Sequence, residues 1–520
     1  MTRPTIIHRV KNSSSLILKT SLGLVMAITL SGCNTGSKKE TIPLDNQLSQ
    51  IITQLNLNQH PQRDLPIISE ALPQLGKKLF FSKGLGGDFD SACVTCHHPA
   101  LGGADQLSLS VGVDANNPDL LGRGRVHNNG LPEVPRNAPT VFNIGLWDRG
   151  LFHDSRVESL NFVAGTNGSN GNIRTPDSVV NTADVNAGQN MVAAQARFPV
   201  TSAEEMRGSS FESGNSNEDV RNHLAARIGD YGAGAGELGT NDWLVEFQQA
   251  FARNDSAENL ISFNNIAHAI GEYERSMQFA NHPWQNYMDG ELVAMTEQQK
   301  EGAVLFFSTP EDGGAGCVAC HSGQLFSDEQ HHAVAFPQIG PGKGDGINGS
   351  AGDDDFGRAR ETGNDNDRYH FRTASLLNLK VSAPYGHSGS FQSLERVVRH
   401  YINPEGSVQN YFNRNEMCQL EQFENLIEGG TTTCANLYPN AETNSLLAVA
   451  KLNQAQQART SLLPRIELND GEVNQLVSFL QALTDPCVES SACLSDWIPA
   501  ANEASDNHQL NAIDHDGQLL

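Results

Sequence analysis

Two short segments share one pattern: Cys93-Val94-Thr95-Cys96-His97 and Cys317-Val318-Ala319-Cys320-His321 each carry two thiols three positions apart, followed directly by a histidine. Thiols spaced this way can each form a thioether to a vinyl group of one haem, and the adjacent histidine is then placed to ligate its iron from one face. A single copy would serve zinc or thiol redox chemistry equally well. Two copies about 220 residues apart, behind an export signal, point to a c-type cytochrome with two covalently attached haems.

The export signal is the first 32 residues, which hold Arg3, Arg9, Lys11 and Lys19, no acid, and the apolar run from Leu22 to Leu30. That run ends in Leu30-Ser31-Gly32-Cys33, which resembles the lipobox of bacterial lipoproteins, so Cys33 is expected to be lipidated and to become the first residue of the mature chain. A membrane-spanning anchor is the alternative, but it needs about 20 apolar residues and Lys19 interrupts the stretch. Asn34 stands where an Asp usually retains lipoproteins at the inner membrane, which favours an outer-membrane lipoprotein facing the periplasm, attached by lipid alone. Without the signal the chain has 60 acids against 31 bases, a formal charge of −29. Such a surface repels nucleic acid and anionic headgroups and steers basic electron carriers towards itself, although solubility alone also accounts for it. Of the nine cysteines, one is the lipid site and four belong to the two motifs; Cys418, Cys434, Cys487 and Cys493 remain. An oxidising compartment allows the local pairs Cys418–Cys434 and Cys487–Cys493, though spacing does not fix the connectivity.

The elements that must position the two motifs read as helices. Apolar periodicity over Ile67–Phe81 predicts a helix leading into the first motif, and similar patterns cover Ile261–Met277 and Thr296–Ser308. Thr296 with Gln299 makes a capping box ahead of Ala303, Val304, Phe306 and Phe307, on the approach to the second motif. A last helix, capped by Asn469 and Glu472, puts Val473, Leu476, Val477 and Leu480 on one face and stops before Pro486. Stretches rich in Gly, Asn, Ser and Asp, at 165–190, 208–241 and 340–367, read as loops. The fold class is therefore mainly α: two cytochrome c-like helical haem lobes with long irregular loops. The expected divisions are a signal at 1–32, a polar tether at 33–60, a first haem domain at 61–285, a second at 286–485, and a partly ordered tail at 486–520.

The flanks narrow the reading further. Leu75-Gly76-Lys77-Lys78-Leu79-Phe80-Phe81, Arg136-Asn137-Ala138-Pro139-Thr140, Phe371-Arg372-Thr373-Ala374-Ser375-Leu376 and Ala383-Pro384-Tyr385-Gly386-His387-Ser388-Gly389 together resemble the bacterial di-haem cytochrome c peroxidase/MauG family, over roughly residues 65–485. The resemblance implies that the first haem binds peroxide while the second stores or relays electrons. The family places a glutamine and a glutamate ten residues apart over the peroxide site. Gln195, Pro199 and Glu205-Met206 match that pattern, so Glu205 is the expected general acid/base, Gln195 its positioning partner, and Glu204 the adjacent competitor.

Peroxidase members carry a histidine sixteen residues beyond the first iron-ligating histidine, which closes the resting site. Here that position is Val113, which cannot ligate iron, so the first haem is expected to be five-coordinate unless His127 substitutes from a longer loop. At the second haem the family ligand lies fourteen residues beyond His387, at Tyr401, with Met417 as the alternative. Peroxidases have methionine there and MauG-type members tyrosine, whose phenolate lowers the reduction potential. The resemblance also implies a calcium ion held by the Asn137 side chain and the carbonyls of Ser382 and Pro384. The family's inter-haem tryptophan is replaced by His153 in Phe152-His153-Asp154-Ser155-Arg156, with Trp147 nearby as a second relay candidate; His98, His331 and His332 read as solvated or structural.

The implied activity is reduction of hydrogen peroxide, with a small periplasmic cytochrome c or cupredoxin as donor. MauG-type, peroxide-dependent oxidation of a Trp or Tyr on a partner protein is the alternative that Val113 and Tyr401 favour, and a non-catalytic electron-transfer cytochrome is the third. A homodimer is what the resemblance implies for assembly.

Overall fold

One helix pair is built twice. The helix Ala71–Phe80 packs on Phe263–Ser276, and Glu297–Phe307 packs on Asp470–Gln481. Both crossings centre on a glycine, because only a residue without a Cβ lets the backbones come this close. A Cβ on Gly76 would lie 1.9 Å from the Ala269 carbonyl oxygen, and one on Gly302 would lie 2.0 Å from that of Gln475. Four residues on, Phe80 meets Tyr273 with ring centroids 5.0 Å apart, and Phe306 meets Phe479 at 5.1 Å. These pairs are the cores of two lobes, and the first helix of each delivers the chain to its Cys-x-x-Cys-His segment.

The computed structural model describes residues 43–58, 63–344 and 353–520; the expected signal at 1–32 and Cys33 lie outside them. Among the described residues the structure is mainly helical, with short antiparallel ribbons at Gly150–Leu151, Val157–Ser159 and Ile173–Arg174 and at His331–His332 with Phe371–Arg372. Both expected capping boxes form. Thr296 and Gln299 exchange side-chain-to-backbone hydrogen bonds of 3.3 and 2.8 Å, and Asn469 and Glu472 do so at 3.1 and 2.8 Å. The two lobes join at Phe279. Asn143 and Asn378, each in the left-handed region (φ 59° and 63°), both donate an amide N–H to the Phe279 carbonyl at 2.9 Å.

Three expectations need correction. The span 33–60, read as a tether, contains the helix Leu44–Leu55. Its apolar residues recur at helical spacing, Leu48 is buried, and Asp45 accepts from Lys300 at 2.6 Å and from the Tyr287 hydroxyl at 2.8 Å. The loop read over 208–241 contains the helix Asn217–Gly229, most of which is buried, Arg221 and Arg227 included, so that polar residues fall on its buried side as well as on its exposed one. The tail at 486–520 is built into the first lobe. Val488, Leu494, Leu510 and Ala512 enter its core, and the buried Asp506 carboxylate accepts from Trp243 Nε1 at 3.0 Å and Ser82 Oγ at 2.6 Å. Cys418–Cys434 and Cys487–Cys493 are disulfides, the local pairing. No helix of the described residues is long and apolar enough to cross a membrane.

Candidate functional site

One continuous cavity of about 810 Å³ runs between the lobes, with Cys93, Cys96 and His97 at one end and Cys317, Cys320 and His321 at the other. The four thiols are free, and burial pushes the Cys317 thiol up to about 12. His97 Nδ1 lies 3.2 Å from the Gly103 carbonyl oxygen, and His321 Nδ1 lies 2.9 Å from that of Phe326. A ring N–H spent on a carbonyl fixes the tautomer and leaves the Nε2 lone pair for a metal. Burial lowers the His97 pKa to about 4 and moves His321 the same way, so both rings are neutral at physiological pH, the form that ligates. A thiol pair beside a neutral imidazole at each end of a largely apolar cavity fits a covalently attached haem twice over.

At the His97 end, the short helix Met191–Gln195 terminates at Gln195, and a π-helical turn at Ala203–Arg207 follows. That wider turn is of a kind common at functional sites. It sends Glu205 into the cavity, whereas Glu204 stays exposed and accepts from Ser202 Oγ at 2.9 Å. Gln195 Oε1 is buried without a hydrogen-bond partner among the described residues. Burial raises the Glu205 pKa, and the nearby cations Arg156 and Lys343 oppose that rise. Behind this turn the chain at Gly112 is tightly packed: a Cβ there would lie 2.4 Å from the carbonyl oxygens of both Glu204 and Glu205. Neither Val113 nor His127 lines the cavity. Val113 is buried with its N–H 3.4 Å from the Glu204 carbonyl, and His127 Nδ1 accepts from the Asn129 N–H at 3.2 Å.

At the His321 end, the helix Leu394–Ile402 brings Tyr401 into the cavity with Leu394, Val397 and Val398. Burial raises its phenol well above the usual range, and the charges of Cys320 and Cys317 add to the shift. Met417 sits in a separate core with Tyr411, Leu420 and Phe423, and it does not line the cavity. Between the two ends lie His153, whose Nε2 is 3.0 Å from the Asn137 carbonyl oxygen, and Trp147, whose ring centroid is 3.4 Å from the Arg372 guanidinium carbon. Asn137, Ser382 and Pro384 also line the cavity. The Asn137 amide nitrogen donates to the Leu107 carbonyl at 2.7 Å, which leaves its side-chain oxygen as the available ligand atom. Of the other histidines named from the sequence, His98 Nδ1 accepts from the Ala100 N–H and His331 Nε2 lies 2.8 Å from Ser155 Oγ, while His332 lines the cavity with its Nε2 2.7 Å from Asp328 Oδ2.

A family profile described as di-haem cytochrome c peroxidase matches residues 70–292, the part of the chain that holds the first motif, Gln195 and Glu205. That stretch is similar to the di-haem cytochrome c peroxidase family, as are the curated relatives. The methylamine utilization protein MauG of Methylorubrum extorquens is 27% identical over 346 residues, covering 66% of this chain and 71% of that protein. Cytochrome c551 peroxidase of Pseudomonas aeruginosa is 28% identical over 331 residues, covering 64% and 71%. The crystal structure of a MauG-like protein associated with microbial copper homeostasis shares the fold, with a TM-score of 0.50 at 22% identity over 84% of this chain and 97% of that one.

This similarity points to an oxidoreductase of the cytochrome c peroxidase type, and the two Cys-x-x-Cys-His ends of the cavity to two c-type haems. Within this di-haem architecture the sequence reading missed three cations. Arg136 is buried between Asp154, at 2.6 Å, and Asp355, at 2.6 and 2.8 Å, which ties the first lobe to the second. Arg372 covers Trp147, and Lys343 reaches the cavity wall from the 340–344 segment. Arg136 and Arg372 lie within recognisable motifs, but no local pattern marks their contacts, and Lys343 sits in a Gly/Asp-rich stretch that reads only as a loop.

Proposed function

We propose that this protein is a periplasmic peroxidase that reduces hydrogen peroxide to water at the His97 end of the cavity, with two electrons delivered by a small periplasmic cytochrome c or cupredoxin. The observation that carries this reading is that Gln195 and Glu205 share the cavity with Cys93, Cys96 and His97. Cys93 and Cys96 would hold one haem, with His97 as iron ligand; Cys317 and Cys320 would hold the other, with His321 and Tyr401. The bound haems supply an iron that accepts a peroxide oxygen and a second centre that stores electrons. Glu205 takes the proton from the peroxide oxygen nearer the iron and returns it to the departing one, which leaves as water; the Gln195 side chain orients the pair. A carboxyl raised by burial suits a group that must both accept and release a proton near neutral pH. In the Glu205→Gln variant, with both haems attached as judged by absorption, peroxide turnover should fall about a hundredfold or more. Turnover within a factor of about two of the parent would remove Glu205 from the mechanism.

Asn137, with the carbonyls of Ser382 and Pro384, offers oxygen donors suited to calcium. Treatment with a chelator, followed by metal analysis and readdition of calcium, tests that site. Export, lipidation of Cys33 and outer-membrane attachment are tested by the mass of the mature N-terminus.

A second reading is peroxide-dependent oxidation of a Trp or Tyr on a partner protein. It draws support from the valine at position 113, which cannot ligate iron and does not line the cavity, and from the presence of Tyr401 on the cavity wall. A peroxide-dependent mass change on a co-purified partner would favour it over small-molecule turnover. A plain electron carrier would need both irons closed by protein ligands, and with neither Val113 nor His127 on the cavity wall the first has no such ligand from those positions.

A further inference from the structure

Two cations from different lobes stand on the cavity wall near Glu205. Arg156 belongs to the first lobe, and its charge is partly matched: Nη1 lies 3.5 Å from Asp154 Oδ1, and the guanidinium carbon lies 3.5 Å from the Phe152 ring centroid. Lys343 comes from the second lobe. Its backbone is fixed, with the N–H donating to the Asp354 carbonyl at 3.1 Å and the carbonyl accepting from Arg360 Nη1 at 2.6 Å. Its ammonium has no hydrogen bond or ion pair among the described residues.

The charges facing Lys343 are Arg156, Arg136, Asp154 and Glu205; those facing Glu205 are Arg156, Lys343 and Glu204. Asp154 is already committed to Arg136 at 2.6 Å, so among the described residues Glu205 is the one acid in the group without a hydrogen bond or ion pair, just as Lys343 is the one cation. We propose that Lys343 is a positioning residue of the peroxide site: its ammonium holds Glu205 ionised, so that the carboxylate enters the reaction as the base. The second lobe thereby completes the peroxide site of the first. Lys343 transfers no proton; the proton passes from peroxide to Glu205 and on to the departing oxygen.

The electrostatics agree in sign. Burial drives the Glu205 carboxyl up and the Lys343 ammonium down to about 8, and each of the two charges offsets the other's shift. Lys343 remains mostly protonated at pH 7, and removing its charge should raise the Glu205 pKa, so that the base form is lost at a higher pH.

This inference rests on Glu205 being the proton shuttle, and the experiment separates the two. The full-length holoprotein and its Lys343→Met, Lys343→Arg and Glu205→Gln variants would be compared by the pH dependence of peroxide kcat/KM, and by infrared titration of the carboxyl band that disappears in Glu205→Gln. In Lys343→Met the acid limb and the carboxyl titration should move upward together by about one pH unit, a loss of about tenfold in kcat/KM below both midpoints. Lys343→Arg should keep both midpoints. Unmoved midpoints in Lys343→Met, or a change confined to KM, would overturn the role of Lys343 while leaving that of Glu205 intact. An active Glu205→Gln variant would overturn both.

Discussion

At the scale of single residues, the charge placed over Trp147 decides between the two relay candidates. The Arg372 guanidinium lies 3.4 Å from the indole centroid, and burial lowers its pKa only to about 10, so it is a cation at neutral pH. A cation on the ring face is attracted to the neutral indole and disfavours the positively charged, oxidised one. Trp147 is therefore a poor hole carrier, although its place on the cavity wall suits one. Trp147→Phe should leave electron exchange between the two haems within about twofold of the parent, as followed by flash reduction. A drop of tenfold or more would identify Trp147 as the relay in spite of Arg372. Gln195, Glu205 and Tyr401, singled out in the sequence by their register with family motifs, all line the cavity. Arg372 over Trp147 was not legible there, because a contact between residues more than two hundred positions apart leaves no local pattern.

At the scale of elements, each glycine-centred crossing holds its own lobe together and sets the approach to that lobe's haem motif. Gly302→Ala would force a Cβ to within 2.0 Å of the Gln475 carbonyl oxygen, so the helices must separate. Overpacking of this kind costs about 1–3 kcal/mol. Thermal unfolding should show the loss as a lower Tm, with poorer haem attachment at Cys317 and Cys320; an unchanged Tm would mean that the crossing is looser than it looks. Helices with one apolar face and a capping box, such as Glu297–Phe307 and Asp470–Gln481, could be read directly. The helix Asn217–Gly229 could not, because most of it is buried and its two arginines are satisfied internally, Arg221 by Asp177 at 2.5 Å and Arg227 by the Gly86 carbonyl at 2.7 Å. Its one local signal is the capping box of Ser216 with Asp219. The tail was misjudged for a related reason: its core residues, Val488, Leu494, Leu510 and Ala512, are too few and scattered to show a period, and Asp506 fixes it through hydrogen bonds to Ser82 and Trp243.

At the scale of the whole molecule, the buried triad Asp154–Arg136–Asp355 links the lobes across the cavity. Arg136 holds Asp355 down to about 2 against the cost of burial, below the ordinary carboxylate value of about 3.9. A carboxyl depressed on folding contributes stability that is present above its unfolded pKa and is lost as pH falls through the folded one. The holoprotein should therefore lose stability between about pH 4 and pH 2, and Asp355→Asn should flatten that part of the curve while costing about 3 kcal/mol at neutral pH. Chemical denaturation across this range measures both effects, and a variant with the parent's acid profile would rule out the triad as the source. The triad's Arg136 lies within a motif that is recognisable in sequence, but its Asp355 partner sits in a stretch that reads only as loop.

The measurement that tests the central claim most directly, an open first iron beside Glu205 and a second held by His321 and Tyr401, is the electron paramagnetic resonance spectrum of the diferric protein. It would be recorded for the parent and for Tyr401→Met, before and after peroxide is added. The expected result is one high-spin signal that peroxide abolishes, alongside one low-spin signal that changes in Tyr401→Met. Two low-spin signals indifferent to peroxide would contradict it, because both irons would then be closed.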